Sequence, residues 1–269
     1  MTKPLPAGKP TAKRLILSLL SAPSLEEVQV AHLVKWGELF DIEPAATRGA
    51  VGRLAKSGFI TARKRGVYTI GPQGSLMART ASTWSLAEQR IRPWNGGWIV
   101  VHCSHLGRSN KTALRARERA FRLNGFAEMV SGLWCRPDNY TRPLTETREM
   151  LLELGLEPEA VMMQVSDIPG TQERELFGFW PREELEAGYH EAMENMATST
   201  LRVENLDIAD AARETFLVGE SVIRRINADP LLPEQMVDTA VRKQMIQAMM
   251  DYNTLGRSVW AEFQRTHAR

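Results

Sequence analysis

Residues 44–58 read PAATRGAVGRLAKSG, and residues 59–70 continue as FITARKRGVYTI. The first stretch predicts a helix that ends at Gly58, and the second predicts a hairpin. On a helical wheel one face carries Thr47, Ala50, Val51 and Leu54, whereas the opposite face carries Arg48, Gly49, Gly52, Arg53 and Lys56. One face of the helix therefore belongs to a core, and the other is basic and almost bare of side chains.

The two glycines on the outward face need an explanation, because glycine inside a helix costs roughly 1 kcal/mol relative to alanine. Small residues let a helix backbone approach the bases of the major groove, and Arg and Lys beside them can contact phosphates and guanine edges. The hairpin would then contact the flanking phosphates or the minor groove as a wing. A weak, solvated surface helix is the alternative. The predicted DNA contacts are Thr47, Arg48, Gly49, Gly52, Arg53, Lys56, Arg63, Lys64, Arg65 and Tyr68.

The charge of the chain is divided unevenly. Residues 1–92 hold 14 lysines and arginines against 6 acidic residues, and the remainder holds 20 against 26. We call residues 1–92 the basic head and the remainder the acidic body. Their opposite charges favour a polyanion as the binding partner of the head alone. We expect no membrane partner, since no apolar run approaches the roughly 20 residues of a membrane span. The two cysteines make no disulfide framework and residues 1–10 lack a signal peptide's apolar core, which together predict a cytoplasmic protein.

Helical periodicity before the quoted stretch predicts two more helices, at Ala12–Leu20 and Val28–Phe40. Three helices followed by a hairpin predict a winged helix-turn-helix DNA-binding domain over residues 11–74, with the third helix in the recognition position. Apolar residues at intervals of three or four then predict a connecting helix over residues 75–94, which ends at the sequence RPWNGG.

The remaining chain predicts two further domains, which makes the fold class α+β. Buried strands are expected at residues 98–103, 126–135 and 160–165, the second with a bend near Ser131 and Gly132, and helices at 111–123 and 145–154. This order fits a central ferredoxin-like α+β domain over residues 95–175, although the strand count is left open. From Pro181 onward the pattern is helical, which predicts a helical C-terminal domain over residues 176–269.

Several stretches, taken in order, resemble one family. They are Ala12–Leu20, Arg48–Phe59, Gly66–Ile70 with Gly74, the PWNGGW boundary at 93–98, residues 98–137, and Phe216 through DPLLP at 229–233. Together they are similar to the PaaX family of bacterial regulators, typified by the repressor of phenylacetate degradation. The resemblance spans nearly the whole chain.

The resemblance implies a homodimeric transcriptional repressor that binds a palindromic double-stranded operator. It also implies release from the operator when an aryl-CoA thioester such as phenylacetyl-CoA binds. The middle domain of such proteins is similar to ferredoxin-like CRISPR nucleases, which place an aspartate at the end of their first strand. Here that strand ends in His102, Cys103 and Ser104, so nuclease activity is not carried over. The wing also looks shorter than the family's usual version.

Effector-binding candidates lie in the acidic body. Arg115, Arg119 and Arg122 share a helical face and could hold the phosphates of a CoA ligand. Contacts to operator phosphates or a merely solvated face are the alternatives. A stripe of aromatic and methionine side chains on the next helical segment could line a pocket for the acyl group, namely Tyr189, His190, Met193 and Met196. The alternative for this stripe is a core or a dimer seam.

We expect neither a catalytic site nor a cofactor. His102, Cys103, His105 and Cys135 are the nearest approach to a metal cluster, but strand neighbours such as His102 and Cys103 point to opposite faces, so no metal site is predicted. Recognisable nucleophile, deaminase and phosphate-loop motifs are missing. The alternatives are a CoA-thioester- or nucleotide-processing enzyme body fused to a DNA-binding head, and an activator instead of a repressor.

Overall fold

The computed structural model describes residues 9–21, 27–75, 83–168 and 173–266. Its helices are α1 (Ala12–Leu20), α2 (Val30–Glu38), α3 (Pro44–Lys56), α4 (Lys111–Leu123), α5 (Leu144–Glu153), α6 (Glu173–Phe177), α7 (Arg182–Val203), α8 (Ile208–Ala228) and α9 (Thr239–Thr266). Its strands are β1 (Val28–Gln29), β2 (Ile60–Lys64), β3 (Val67–Ile70), β4 (Trp98–His102), β5 (Ala127–Val130), β6 (Leu133–Pro137) and β7 (Val161–Val165). The fold is therefore mixed helix and sheet, with two antiparallel sheets.

The chain groups into two compact units. Unit 1 comprises residues 1–85, 192–227 and 246–269, and unit 2 comprises residues 86–191 and 228–245. This grouping differs from the predicted succession of domains, because the helical tail is divided between the units. Unit 1 carries 19 lysines and arginines against 13 acidic residues, and unit 2 carries 15 against 19. The excess of positive charge thus stays with the unit that contains α3.

Unit 1 begins with three helices and a small sheet. The strand order is β1-β3-β2, with Val28 opposite Tyr68 and Ile60 opposite Ile70. The helices form because each presents an apolar stripe to one core, as in the contribution of Leu15 and Ile16 from α1.

The tail helices complete the core of unit 1. Phe40, just after α2, packs on Phe216 of α8 with ring centroids 5.0 Å apart, and Trp36 meets Trp260 of α9 edge to face at 6.0 Å. Arg14 of α1 pairs with Glu220 of α8 at 2.9 Å. The described residues between Ala12 and Ile70 therefore share their core with helices that lie more than 100 residues later in the chain.

Unit 2 contains the second sheet, in the element order β4-α4-β5-β6-α5-β7. The strand order is β5-β6-β4-β7 and every pair is antiparallel. Ile99 and Val101 of β4 face a core that also contains Phe121 of α4 and Leu151 of α5. Both helices therefore contribute to one core with alternate residues of the central strand.

The prediction of one bent strand over residues 126–135 was wrong. Residues Ser131 and Gly132 form a turn, so this stretch makes the two strands of a hairpin, β5 and β6. Gly132 has φ +78°, and a Cβ placed there would lie 2.5 Å from the Cα of Ser104. Only glycine fits such a left-handed and crowded position, which is why the chain reverses at this point.

The predicted connecting helix over residues 75–94 is found only in part. Residues 76–82 lie outside the described residues, and Trp84–Arg90 form a 3₁₀ helix. The chain then runs antiparallel to residues 139–141, with a bridge between Ile91 and Tyr140. This bridge replaces the end of the expected helix, because the backbone there bonds to another segment: the Arg92 N–H to the Asn139 carbonyl, and the Thr141 N–H to the Arg90 carbonyl.

A buried polar network holds residues Asp229–Pro233 within unit 2. The side chain of Arg242 is fully buried, pairs with Glu88 at 2.7 Å and donates to the Leu232 carbonyl at 2.8 Å. Asp229 accepts from the Tyr189 hydroxyl at 2.6 Å and from the Leu231 N–H at 2.7 Å. Burial raises the pKa values of both Tyr189 and Asp229, so this segment depends on its partners for compensation.

Candidate nucleic-acid interface

Helix α3 has well-defined ends. Pro44 lies in its first turn, where the missing N–H of proline costs nothing. At the other end Gly58 has φ +72°, its N–H donates to the Ala55 carbonyl, and the Phe59 N–H donates to the Leu54 carbonyl. This is a Schellman motif, and it leads the chain directly from α3 into β2.

The two faces of α3 divide as the helical wheel predicts. Ala50, Val51 and Leu54 are buried in the core of unit 1. Arg48, Gly52, Arg53 and Lys56 are exposed, and Gly49 is half-buried.

The outward glycines of α3 have no packing role among the residues that the structure describes. In that part of the chain, a Cβ placed on Gly52 would meet no atom within 4 Å outside the backbone of its own helix. A Cβ on Gly49 would meet only the Nη1 atom at the end of the flexible Arg53 side chain, at 3.3 Å. Because glycine costs the helix roughly 1 kcal/mol at each position, its presence favours a requirement imposed from outside the molecule.

The hairpin beyond α3 exposes a second set of cations. Only Ile60 of β2 faces the core, and the other four residues of that strand are exposed. The register shifts between Ala62 and Lys64, so Arg63 sits in a bulge that interrupts the ladder with β3. Arg65 follows in the turn and is exposed as well.

The exposed cations of α3 and the hairpin share one property: they have no acidic partner. Within the described ranges no carboxylate forms an ion pair with Arg48, Arg53, Lys56, Arg63, Lys64 or Arg65. Some exposed arginines elsewhere do have such partners: Arg122 pairs with Glu118, Arg182 with Glu186 and Arg202 with Glu214. The positive field of α3 and the hairpin is therefore left uncompensated.

Thr47 is not available for a contact with DNA, which corrects its assignment. Its side chain is 1% exposed and packs against α2, where a Cβ on Gly37 would lie 2.6 Å from its Oγ1 atom. Thr47 instead allows α2 and α3 to approach closely. Tyr68 is half-buried against the same core, so only part of its surface remains for a ligand.

The effector candidates do not form one pocket. Arg115, Arg119 and Arg122 are all exposed on α4, as their spacing predicts. Tyr189 is 1% exposed and bonded to Asp229, whereas its neighbour His190 is exposed. The prediction that Tyr189 and His190 line a pocket together was wrong, because consecutive residues of α7 point in different directions.

The thiols and imidazoles of unit 2 have other partners. The Cys103 thiol donates to the Gly132 carbonyl at 3.3 Å, His102 bonds Ser104 at 2.6 Å, and His105 bonds the Glu159 carbonyl at 3.0 Å. Burial raises the pKa of Cys103 and raises that of Cys135 to about 12, so both remain thiols at neutral pH. Among the described residues no three His, Cys, Asp or Glu side chains converge as metal ligands would.

In the part of the chain that the structure describes, none of the helices combines the length and the apolar character that crossing a membrane requires.

Comparison with known proteins adds a likeness of fold. Neither a protein-family model nor a curated protein matches the chain. Among solved structures it is similar to the uncharacterized protein Rv0674 from Mycobacterium tuberculosis, with a TM-score of 0.61, 20% identity, and coverage of 93% of this chain and 96% of that chain. The two folds therefore agree over almost their whole length. Membership of the PaaX family stays a prediction.

Sequence reasoning missed the buried arginines of unit 2. Arg136 is fully buried and donates to the carbonyls of Asn124 and Pro137 and to the side chain of Asn139. An arginine within an apolar strand such as LWCRP, residues 133–137, is itself a signal of a buried polar network, since charge is rarely placed in a core without partners.

Proposed function

We propose that this protein is a DNA-binding transcriptional regulator and that α1–α3 with the small sheet act as a winged helix-turn-helix. The observation that carries the proposal is the outward face of α3, where the described residues give the two glycines no packing contact that requires them and give the exposed cations no acidic partner. The strand order β1-β3-β2 supports it, because β1 before α2 and the β2-β3 hairpin after α3 are the arrangement of a winged helix.

In this proposal α3 is the recognition helix. Gly49 and Gly52 let its backbone enter the major groove closely, while Arg48 and Arg53 reach base edges and Lys56 reaches a phosphate. Arg63, Lys64 and Arg65 hold the hairpin to flanking phosphates. Two copies of the chain would bind half-sites about 34–36 Å apart, as dimeric helix-turn-helix proteins do.

The proposal for unit 2 is that its sheet and helices are a ferredoxin-like domain within an effector-responsive body. The element order β-α-β-β-α-β and the antiparallel order β5-β6-β4-β7 support this assignment. With the resemblance to PaaX regulators, the effector would be an aryl-CoA thioester such as phenylacetyl-CoA, which releases a repressor from its operator. Release follows if the effector binds better to a state whose α3 helices no longer match the operator spacing.

Fluorescence anisotropy tests the proposal on the intact protein. A labelled duplex from the upstream region of its own gene is compared with a random duplex of equal length, at several salt concentrations and with phenylacetyl-CoA or acetyl-CoA added. The proposal expects preference for the upstream duplex by at least about a thousandfold and a steep fall of affinity with salt. Equal affinity for both duplexes would contradict the regulator, and binding without an effect of any acyl-CoA would contradict only the effector.

A separate assay on the same protein tests the enzyme alternative. Chromatography of phenylacetyl-CoA after incubation with the protein is expected to recover it unchanged, because the two cysteines are held as protonated thiols.

A further inference from the structure

Unit 2 contains buried or partly buried arginines that have no acidic partner among the described residues. There the acceptors of Arg136 are all neutral, namely the carbonyls of Asn124, Pro137 and Pro230 and the side chain of Asn139. Arg142 likewise donates to Thr147 Oγ1 at 3.0 Å, to Met150 Sδ and to Asn124 Oδ1. Two buried or half-buried positive charges are therefore hydrogen-bonded but not neutralised.

The two guanidinium groups lie against the same aromatic ring. The Cζ atom of Arg136 is 3.4 Å from the ring centroid of Tyr140, and that of Arg142 is 4.1 Å from it. A ring attracts cations through its quadrupole, but it cannot cancel the repulsion between two of them.

Arg90 adds a third positive charge at this place. Its carbonyl accepts from the N–H of Thr141, the residue next to Arg142, at 2.9 Å. Its Nε atom is buried and has no hydrogen-bond partner in the described part of the chain. Burial, and after it the charge of Arg90, lowers the pKa of Arg142, which agrees with the proximity of the two groups.

The nearby carboxylates do not neutralise this cluster. Asp138 is paired with Arg92 at 3.1 Å and also accepts from Gln164. Glu146 is exposed and acts on Arg142 electrostatically, but the structure shows no ion pair between the described atoms of these two side chains. Among the described side chains, no carboxylate forms an ion pair with Arg90, Arg136 or Arg142.

We propose that Arg90 and Arg142 form a binding site for a small molecule that carries a phosphate group, with Tyr140 and Arg136 behind them. Arg90 and Arg142 are both partly exposed, so an anion can reach them, whereas Arg136 is fully buried and contributes charge alone. Two guanidinium forks offer more donors than a carboxylate can accept, and they match the several oxygens of a phosphate. This proposal does not depend on DNA binding by α3.

The test is the thermal unfolding of the intact protein as inorganic phosphate or coenzyme A replaces chloride at constant ionic strength. Phosphate or coenzyme A is expected to raise the unfolding midpoint in a saturable manner, since a ligand that binds only the folded state stabilises it. Tighter binding of coenzyme A than of phosphate would identify the source as an organic phosphate, and equal binding would identify free phosphate. An effect that is linear in concentration and equal for sulfate and phosphate would contradict a site.

Arg90→Gln is the decisive variant, because the Nε atom of Arg90 has no described partner to lose. Without phosphate its unfolding midpoint is expected to equal or exceed that of the wild type, since repulsion with Arg142 is relieved. Its apparent Kd for the anion is expected to be at least tenfold weaker, as for the loss of a charge-assisted contact. Arg90→Lys keeps the positive charge without the guanidinium fork, so its apparent Kd for the anion is expected to lie between those of the wild type and Arg90→Gln.

Arg265→Gln is the matched control, because it changes an exposed helical arginine that belongs to no predicted site. It is expected to leave the response to phosphate unchanged, and so is Arg115→Gln, which tests the competing effector candidates on α4. If Arg115→Gln abolishes the response and Arg90→Gln does not, the site lies on α4 and the proposal is wrong. If Arg90→Gln instead weakens binding to random DNA as strongly as Lys64→Ala does, the cluster contacts DNA, which also overturns the proposal.

Discussion

Two glycines, one in each unit, differ in their backbone conformation and in the space around them. Gly132 of unit 2 has a left-handed backbone and backbone atoms of Ser104 against it, so the fold itself requires glycine there. Gly52 of unit 1 lies in a regular helix with open space around it, and alanine would suit the free protein better. A residue that the fold does not explain is evidence for a requirement outside the fold.

The arginines of the two units differ in the same way. Arg242 of unit 2 is fully buried and satisfied by Glu88 and the Leu232 carbonyl. Arg48 and Arg53 of α3 are exposed and have no described acidic partner. Substitutions in unit 2 should therefore change stability, and substitutions on α3 should change binding.

The largest expected effect is that of Arg242→Leu. It leaves Glu88 and Asp229 without their cation in a buried setting, which should cost about 3–5 kcal/mol of unfolding free energy. Urea denaturation followed by circular dichroism measures the loss. Lys243→Ala, at the exposed neighbouring position, should stay within about 0.5 kcal/mol of the wild type. A loss below about 1 kcal/mol for Arg242→Leu would show that the network does not hold the segment.

Gly132→Ala should lower the unfolding free energy by about 2–4 kcal/mol, because it adds both a left-handed alanine and a contact with Ser104. Gly66→Ala isolates the first cause: Gly66 has φ +75° but nothing near its Cβ position. It should cost only about 1–2 kcal/mol. If urea denaturation gives equal losses of unfolding free energy for the two variants, the backbone at Ser104 can move aside at little cost.

Arg48→Ala should weaken binding to the upstream duplex by about 1–3 kcal/mol if the side chain contacts a base, and should leave the unfolding free energy unchanged within about 0.5 kcal/mol. Anisotropy titrations on upstream and random duplexes measure the effect. Arg265→Ala, another exposed helical arginine, is the control. An equal loss for Arg48→Ala on both duplexes would reduce its role to a phosphate contact.

Lys64→Ala should have a smaller and less selective effect. A phosphate contact in the hairpin contributes equally to all sequences, so both duplexes should be bound more weakly and the salt slope should fall by about 1. Lys243→Ala should leave the slope as it is. A loss confined to the upstream duplex would place Lys64 at a base.

The sequence predicts best what adjacent residues determine. The periodicity and the final glycine of residues 44–58 predict α3 and its two faces, and the structure has a helix at Pro44–Lys56. The turn at Gly132 was missed because the strand-forming residues on either side of Ser131 and Gly132 suit one bent strand as well as two strands. Thr47 was misassigned although the helical wheel places it on the core face, and the structure shows it packed against α2 at Gly37.

Interactions between residues that are distant in the chain could not be predicted from the sequence. The pairing of Arg242 with Glu88 joins residues 154 positions apart, and neither residue type nor spacing indicates it. The guanidinium groups of Arg136 and Arg142 lie against the Tyr140 ring, and the bridge between Ile91 and Tyr140, which no local pattern encodes, brings Arg90 to the same segment. The sequence analysis predicted the exposed arginines of α4 as effector contacts instead, because residue spacing alone shows which side chains share a helical face.

The central claim is that the outward face of α3 is shaped for DNA and not for the fold, and Gly52→Ala tests it most directly. Its stability and its affinity for the upstream duplex are measured on the same preparation. The account predicts an unfolding free energy higher by about 0.5–1 kcal/mol together with weaker binding, because the added methyl group suits the helix and obstructs the groove. A variant that is more stable and binds the duplex as tightly as the wild type would contradict it.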